Sequence, residues 1–242
     1  MWDRDRVNAP ILILWDVDHT LLDSGGVSRQ IYGHAFEVVT GRPMERLADM
    51  AGRTERAIAL ETLRIGGVAD PEPLLPRFFA ALGDAARRLQ GEMRVRGRAL
   101  PGARDAVRGL VAGGVVQTVV TGNLRPLAET KLAAFDLTAH LDLEVGGFGD
   151  DASDRAVLVR LAVKRAEAAY DRTFPPARTV VIGDTVHDVK GALDAGVRAI
   201  GIATGRASAD GLAAARADVV LADLTDLGAL RAAVFGTAVS GE

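Results

Sequence analysis

The sequence predicts an α/β protein: a Rossmann-like parallel sheet core with an inserted helical cap. Two observations support this fold class. Short β-rich segments alternate with helical patterns over the second half of the chain, and a long helical stretch separates the first two strands. The predicted strands are Ile11–Trp15, Val115–Val120, Leu141–Val145, Thr179–Ile182, Ala199–Ile202 and Asp218–Leu221. The helices predicted between them are Leu127–Phe135, Ala156–Tyr170, Val189–Ala195 and Leu212–Ala217.

The stretch between the first two strands is roughly a hundred residues long, which is too long for a crossover or a structureless loop. Its apolar spacing predicts helices over Ser28–Val39, Thr54–Leu63 and Leu74–Leu89. Glycines lie at both junctions, as expected for hinges. We therefore expect a core of residues 1–21 and 97–242, and a helical cap of residues 22–96.

Composition limits the classes of function. The 242 residues carry a formal net charge of −3, which does not support nucleic-acid binding. The chain has no cysteine, which excludes disulfides, thiolate catalysis and cysteine-ligated metal sites. The first residues lack the apolar core of a signal peptide, and no apolar run approaches the length of a membrane span. We expect a cytoplasmic monomer or homodimer without nucleic-acid or membrane partners.

The most informative segment is Asp16-Val17-Asp18-His19-Thr20, directly after the apolar strand Ile11–Trp15. Its two carboxylates, at positions i and i+2, point out of the sheet edge in the same direction. At 4 Å, two such charges repel each other by roughly 4 kcal/mol in a medium of effective dielectric about 20. A neighbouring cation, proton or amine is therefore expected. The structural alternative is an ordinary Asp-rich turn.

Two further strands also end in polar segments, Thr121-Gly122-Asn123 and Gly183–Asp188. Each segment alone is also typical of a turn or a helix cap. The carboxyl ends of parallel strands meet at one edge, where open α/β sheets bind their ligands. We therefore expect one acidic pocket, formed by Asp16, Asp18, Asp184 and Asp188. Oxygen ligands in this number suit Mg²⁺.

Together these segments resemble the haloacid dehalogenase superfamily of phosphohydrolases, and especially its phosphoglycolate phosphatase-like members with a helical cap. The resemblance rests on the order of Asp16–Thr20, Thr121, Arg155 and Gly183–Asp188, with a helical insertion after the first motif. It implies that Asp16 is the nucleophile. It also implies that Asp18 protonates the leaving oxygen and then activates water.

The same resemblance implies a phosphate site and a metal site. Phosphoryl oxygens would be held by Thr121, Gly122 and Asn123. The Mg²⁺ ligands would be Asp16, the main-chain carbonyl of Asp18, Asp184 and, in support, Asp188. In similar capped proteins a loop like the one at Arg53 reaches the distal part of the substrate, so Arg53 would contact it there. A solvated helix start is the alternative for this residue.

One position departs from the family. Its members usually have a lysine just after the third strand, whereas here no lysine lies between Lys131 and Lys164. Both of these lysines fall within helical patterns, where we expect a solvated face. Arg155 is the nearest cation, and we expect it to supply the positive charge beside the nucleophile, although an arginine does not simply replace a lysine. The alternative is that Arg155 pairs with Asp151 or Asp154.

The resemblance therefore implies Mg²⁺-dependent hydrolysis of a phosphate monoester, a small phosphorylated metabolite, through an aspartyl-phosphate intermediate. A phosphomutase shares all these motifs and stays an alternative, as does a non-catalytic module that binds metal or phosphate. A haloalkanoate dehalogenase is disfavoured, because that chemistry uses neither the acid Asp18 nor its Mg²⁺. A phosphonate-cleaving relative would need a cap lysine, and residues 22–98 contain none.

Overall fold

The structure, a computed structural model, describes residues 10–50 and 52–236; the first residues, on which the signal-peptide expectation rests, lie outside the described part. The strands are β1 (Ile11–Trp15), β2 (Leu22–Asp23), β3 (Arg98–Ala99), β4 (Val115–Val119), β5 (Thr179–Gly183), β6 (Arg198–Ile202) and β7 (Val219–Leu221). The helices are α1 (Val27–Thr40), α2 (Glu55–Ile65), α3 (Leu75–Arg96), α4 (Ala103–Gly109), α5 (Arg125–Ala134), α6 (Arg155–Tyr170), α7 (Val186–Asp194), α8 (Ala209–Ala214) and α9 (Leu227–Phe235). Within the described part, no helix has both the length and the apolar character that a membrane crossing requires.

Five strands form one parallel sheet in the order β4-β1-β5-β6-β7, which confirms the predicted fold class. β1 lies between β4 and β5, and all of its residues are buried. A strand covered on both faces reads as an unbroken apolar run, which explains why β1 shows no alternation of apolar and polar residues. Successive side chains still point to opposite faces. Ile13 and Trp15 pack into one core cluster, and Leu12 and Leu14 pack into the other.

The chain between β1 and β4 contains the helices predicted for the cap. Leu22 of β2 pairs with Ala99 of β3 in an antiparallel ladder, so the chain enters and leaves this region at adjacent points. Helices α1, α2 and α3 lie between the two short strands. The rings of Tyr32 on α1 and Phe78 on α3 contact each other edge to face at 5.7 Å. The limits of the two domains stay a prediction.

The cap packs against one helix of the core. Its long helix α3 lies against α5. Gln90 Nε2 donates to Thr130 O at 3.1 Å, and Arg94 Nη2 donates to Ala133 O at 3.2 Å. The second bond satisfies a carbonyl in the last turn of α5, which has no partner within the helix. The cap is therefore attached to the helix that also carries Lys131.

One predicted strand is wrong. Residues 141–145 form no strand, and Leu143–Val145 is a 3-10 helix. The side chain of Asp142 accepts a hydrogen bond from the amide two residues later at 3.0 Å, a local bond that competes with strand pairing. In the described part of the chain, a single bridge between Val120 and Gly147 stands where the predicted strand would have paired.

Two short strands and two short α-helices were not predicted from the sequence. The strands β2 and β3 have two residues each, too few for any periodicity to be visible. Helix α4 has seven residues, about two turns. Helix α9 has nine residues and is nearly all apolar, so it shows no polar face to distinguish it from a buried strand.

The side chain of Gln117 on β4 joins two buried groups. Trp15 Nε1 donates to Gln117 Oε1 at 3.0 Å, and Gln117 Nε2 donates to Val107 O at 2.8 Å. Gln117→Met keeps the length of the side chain but leaves both partners buried without a bond. We expect the free energy of unfolding to fall by about 2–4 kcal/mol, measured by urea unfolding followed by circular dichroism.

Thr118→Val is the matched control on the same strand. Thr118 is fully buried, and its hydroxyl has no hydrogen-bond partner among the described residues. Valine replaces this unpaired hydroxyl with a methyl group of the same size, so stability should stay the same or rise. A loss at Thr118 as large as that at Gln117 contradicts the hydrogen-bond explanation.

Candidate active site

The carboxyl ends of β1, β4 and β5 meet at one edge of the sheet. The ladder continues one residue beyond β1, where Asp16 N donates to Ile182 O at 2.8 Å. On the other side, Val120 N donates to Trp15 O at 2.8 Å. The polar residues that follow these strand ends are Asp16, Thr121 and Asp184. The structure therefore brings together side chains that the sequence predicted to share one site.

Three buried carboxylates form a cluster at this edge: Asp16, Asp184 and Asp188 each offer an oxygen, and these oxygens lie within 4.8 Å of one another. Burial and the charge of Asp188 raise the pKa of Asp184 to about 7 and raise that of Asp16 well above its usual range. Thr20 Oγ1 lies 3.2 Å from Asp184 Oδ1 and 3.4 Å from Asp16 Oδ2. Acids crowded in this way form the kind of donor set that binds a divalent cation.

Asp188 uses its two carboxylate oxygens differently. Oδ2 accepts hydrogen bonds from Thr185 N at 3.0 Å and Thr185 Oγ1 at 2.6 Å, in the capping box that begins α7. Oδ1 is buried and lies 3.1 Å from Arg155 Nη1, but it takes part in no hydrogen bond. This oxygen keeps coordinating capacity beside two other acids. The residues present therefore fit a Mg²⁺ site.

Arg155 is the cation beside Asp16. Its Nη1 lies 3.2 Å from Asp16 Oδ1, 3.1 Å from Asp188 Oδ1 and 3.2 Å from Val120 O. The side chain is 9% exposed. Burial acts to lower the pKa of Arg155, but the carboxylates of Asp188 and Asp16 outweigh burial and raise it. The guanidinium therefore stays charged between two of the clustered acids.

The alternative partners proposed for Arg155 are engaged elsewhere, so that alternative is wrong. Asp151 Oδ1 pairs with Arg165 Nη2 at 2.6 Å. Asp154 caps α6, where its side chain accepts a hydrogen bond from the amide of Ala156 at 2.8 Å. Gly191 of α7 leaves room for the guanidinium chain, since a Cβ there would lie 2.4 Å from Arg155 Cγ. Asp154 at the N-terminus of α6 and Gly191 on α7 thus allow the Arg155 side chain to point toward the acids.

Asp18 has a different cation, Lys131 of α5. Lys131 Nζ lies 2.8 Å from Asp18 Oδ1, 2.7 Å from Asp18 Oδ2 and 2.7 Å from Asn123 Oδ1. Burial opposes the ionisation of Asp18, but the charge of Lys131 and hydrogen bonds from Lys131 and Asn123 lower its pKa. The side chain of Lys131 is 1% exposed, so the expectation of a solvated lysine is wrong for this residue. Lys164 is exposed, as expected.

The sequence did contain a signal for the burial of Lys131. The residues three and four positions away are apolar and buried: Leu127, Ala128, Ala134 and Phe135. A lysine with such neighbours on both sides lies on the apolar face of its helix. Because an unpaired buried charge is strongly destabilising, a lysine at such a position needs a carboxylate partner.

The turn after β4 contains the predicted phosphate-binding residues. Thr121, Gly122 and Asn123 all line a cavity of about 500 Å³ at the sheet edge. Asn123 Nδ2 donates to Thr121 Oγ1 and to Asp18 Oδ2, both at 2.7 Å. Gly122 also contacts the cap, because its carbonyl accepts the amide of Glu55 at 2.8 Å. The cap therefore closes over the turn that is predicted to hold phosphoryl oxygens.

Arg53 lines the same cavity from the cap side. Its Nη1 donates to Glu61 Oε2 at 2.5 Å and to Asp49 O at 3.1 Å, so the guanidinium is engaged within the cap. The main chain of Arg53 approaches the core closely, since a Cβ on Gly122 would lie 2.2 Å from Arg53 O. Its predicted contact with the substrate stays a prediction.

The cap adds a buried carboxyl group that the sequence analysis did not predict. Glu55 begins α2, is 2% exposed and accepts a hydrogen bond from the hydroxyl of Tyr32. Burial raises the pKa of Glu55 to about 7, although the charge of Lys131 and the Tyr32 bond oppose the rise. Glutamate is common in the first turn of solvated helices, where its negative charge interacts favourably with the positive end of the helix dipole. No local pattern therefore distinguishes this buried glutamate from an exposed one.

A sequence model of the haloacid dehalogenase-like hydrolase family matches residues 13–193. The chain belongs to this family. The match begins in β1 and ends in α7, so it includes both acidic motifs and the cap between them. The resemblance inferred from the ordered motifs is thereby confirmed, and the protein belongs to a family of hydrolases.

Similar proteins have several activities. The tyrosine-protein kinase PtkA of Mycobacterium tuberculosis is 27% identical over 206 residues, which cover 84% of this chain and 65% of PtkA. A hydrolase from Pseudomonas syringae has a TM-score of 0.64 and 22% identity, with 91% of this chain and 96% of that chain covered. A putative β-phosphoglucomutase from Thermotoga maritima has a TM-score of 0.57 and 19% identity, with 91% and 98% covered. At these identities, the likeness to the solved structures shows the fold alone.

The raised pKa of Glu55 predicts how stability depends on pH. The pKa is about 7 in the folded protein and 4.5 for the ordinary group. Between these pH values the folded state holds a proton that the unfolded state has released, so stability falls as the pH rises through this window. At about 1.4 kcal/mol per pKa unit, the contribution of Glu55 to the loss is about 3 kcal/mol.

Glu55→Gln removes this contribution, because the amide is neutral at every pH. As the pH rises from about 4.5 to 7.5, the unfolding free energy of the variant minus that of wild type should increase by about 3 kcal/mol, measured by urea unfolding. Glu37→Gln, on the exposed face of α1, controls for the loss of one carboxylate. Parallel pH profiles for wild type and Glu55→Gln contradict the prediction.

Proposed function

We propose that this protein is a Mg²⁺-dependent phosphatase that hydrolyses a small phosphate monoester through an aspartyl-phosphate intermediate. The observation that carries the proposal is the environment of Asp16. Its carboxylate lies at the end of a strand beside two further acids that fit a metal, with Arg155 at 3.2 Å. Membership of a hydrolase family supports the same reaction class.

In the first step, Asp16 is the nucleophile. A carboxylate oxygen of Asp16 bonds to phosphorus as the bond between phosphorus and the ester oxygen breaks. An anionic nucleophile can approach an anionic phosphate when positive charge offsets both. Arg155 supplies one such charge. Asp16, Asp184 and Asp188 would hold Mg²⁺, which when bound supplies the second.

Asp18 transfers the protons. It gives a proton to the leaving oxygen in the first step. In the second step it takes a proton from water as the water oxygen bonds to phosphorus and the bond to Asp16 breaks. Lys131 favours the ionised form of Asp18, which the second step needs.

The cavity limits the size of the substrate. Its volume of about 500 Å³ suits a small molecule. The part of its lining that the cap contributes includes hydroxyl and apolar groups, among them Ser24, Ser28, Leu47, Met50 and Ile58. Closure of the cap would exclude water around the phosphoryl group. A small phosphorylated metabolite is the partner proposed. The cytoplasmic location and the state as monomer or homodimer stay predictions.

Product analysis separates this function from its rivals. The Thermotoga maritima structure is named a putative β-phosphoglucomutase and PtkA a tyrosine-protein kinase. A phosphatase releases inorganic phosphate, a phosphomutase converts one sugar phosphate into its isomer, and a tyrosine kinase transfers phosphate from ATP to a phenol. A non-catalytic module binds phosphate or metal without any of these products. A panel of phosphorylated metabolites, with detection of released phosphate and of isomerised sugar phosphate, and a separate assay of phosphate transfer from ATP to a tyrosine peptide distinguish the four outcomes.

Asp16→Asn tests the nucleophile. The amide has the shape of the carboxylate but is a poor nucleophile, so kcat for p-nitrophenyl phosphate should fall below about one-thousandth of the wild-type value. The circular dichroism spectrum should stay unchanged. EDTA should abolish wild-type turnover and added Mg²⁺ should restore it. If Asp16→Asn keeps turnover within about tenfold of wild type, Asp16 is not the nucleophile. If EDTA leaves activity unchanged, the assignment of a metal to the site is wrong.

Arg155→Ala tests the second cation. A charge-assisted contact is worth about 1.5–3 kcal/mol, so kcat/KM should fall by about ten- to several-hundred-fold. Arg155→Lys should recover part of the loss, because it restores the charge without the planar fork. Arg160→Ala is the control, since Arg160 lies on the same helix but binds Asp194 O at the surface. Full activity in Arg155→Ala assigns the positive charge to another residue.

A further inference from the structure

Lys131 donates hydrogen bonds to two residues of the site. An ammonium group has three donors. They are taken up by Asp18 Oδ1 at 2.8 Å, Asp18 Oδ2 at 2.7 Å and Asn123 Oδ1 at 2.7 Å. With the side chain 1% exposed, this arrangement leaves no donor for a phosphate or a leaving group. Lys131 therefore acts on the reaction through its neighbours.

The contact with Lys131 also determines how Asn123 is oriented. Because an ammonium group can only donate, the amide oxygen of Asn123 must face Lys131. The amide nitrogen then faces Asp18 Oδ2 and Thr121 Oγ1, both at 2.7 Å. Asp18 is thus held by two side chains, while its own side chain stays 33% exposed and lines the cavity.

The two acids of the first motif receive their cations from opposite faces of the sheet. Helix α5, which carries Lys131, packs in the cluster that contains Ile13 and Trp15. Helix α6, which carries Arg155, packs in the cluster that contains Leu12 and Leu14. Arg155 attracts Asp16 from one face and Lys131 attracts Asp18 from the other. The Asp18 carboxylate is therefore held apart from the three clustered acids.

We propose that Lys131 is the positioning residue of Asp18. Together with Asn123, it keeps the Asp18 carboxylate away from the metal-binding cluster and turned toward the cavity, where the leaving oxygen and the attacking water lie. This inference rests on the proposed function, in which Asp18 transfers the protons. Without the ammonium, the carboxylate has several orientations, and one of them is productive.

A double-mutant cycle tests whether Lys131 acts through Asp18. Lys131→Met, Asp18→Asn and the combined variant are compared with wild type in kcat and KM for p-nitrophenyl phosphate and for an alkyl phosphate with Mg²⁺. For the alkyl phosphate, Lys131→Met should lower kcat about ten- to a hundredfold and change KM by less than about threefold, because misplacing Asp18 removes only part of the roughly 10²–10⁴-fold that proton transfer contributes. The loss should be smaller for p-nitrophenyl phosphate, whose leaving group needs little protonation.

The decisive result is the combined variant. If Lys131 acts through Asp18, the combined variant should have a kcat within about twofold of Asp18→Asn, because a positioning residue has nothing left to position. A merely structural role predicts losses that multiply, so a further loss of about tenfold or more overturns the inference. Equal losses of Lys131→Met on the aryl and alkyl esters also overturn it.

Two controls keep the test interpretable. Lys164→Met removes an exposed lysine of α6 and should leave kcat unchanged. If Lys131→Met does not fold by circular dichroism, the cycle is run with Lys131→Gln, which fills similar space and keeps a donor without the charge. If the wild type hydrolyses no phosphate ester, both the proposed function and this inference are refuted. Wild-type turnover with multiplicative losses refutes the inference alone.

Discussion

Repulsion among the carboxylates at the ends of β1 and β5 is the constraint on which the site depends. Asp16, Asp184 and Asp188 lie within 4.8 Å of one another, largely shielded from water. Charges buried so close together need compensation, because their Coulomb repulsion is stronger in a protein than in water. Burial is the main cause of the raised pKa values of Asp16 and Asp184, and the charge of Asp188 raises both further.

The surrounding structure supplies that compensation from several directions. Arg155 reaches Asp16 and Asp188 from one face of the sheet, and Lys131 reaches Asp18 from the other. Local details make both contacts possible. A glycine on α7 leaves space for the arginine chain, and apolar neighbours on α5 place the lysine inside the protein. A bound divalent cation would offset the remaining negative charge.

The cap completes the site and links its own packing to the chemistry. The amide of Glu55 binds the carbonyl of Gly122, within the turn proposed to hold phosphoryl oxygens. The Glu55 carboxyl is buried beside Tyr32, and burial raises its pKa to about 7. The cap thus lines the cavity and also contributes a buried carboxyl group whose ionisation is disfavoured. Because the charge of Lys131 acts on both Glu55 and Asp18, the electrostatics of the cap and of the site are linked.

Much of the fold was predictable because its signals are local. Continuous apolar runs identified β1 and β5, since a strand buried on both faces has no polar side. Short segments rich in β-branched residues identified β4 and β6. The long helical interval predicted the cap helices. The predicted strand over 141–145 failed because Asp142 forms a local hydrogen bond that ends the extended conformation. The strands β2 and β3 were not predicted, because a strand of two residues is too short to show an alternation of apolar and polar side chains.

By itself, the sequence determined which acids lie at the carboxyl ends of strands and, through their order, the family. Parallel strands bring such ends together wherever the sheet forms, so Asp16 and Asp184 could be paired without coordinates. The departure from the family lysine also predicted Arg155 as the cation beside Asp16. The tertiary structure decided that Lys131 is the partner of Asp18. Lys131 lies 113 positions from Asp18 along the chain, and Arg155 lies 139 from Asp16. Contacts of this separation depend on the packing of whole helices against the two faces of the sheet, and no local periodicity encodes them.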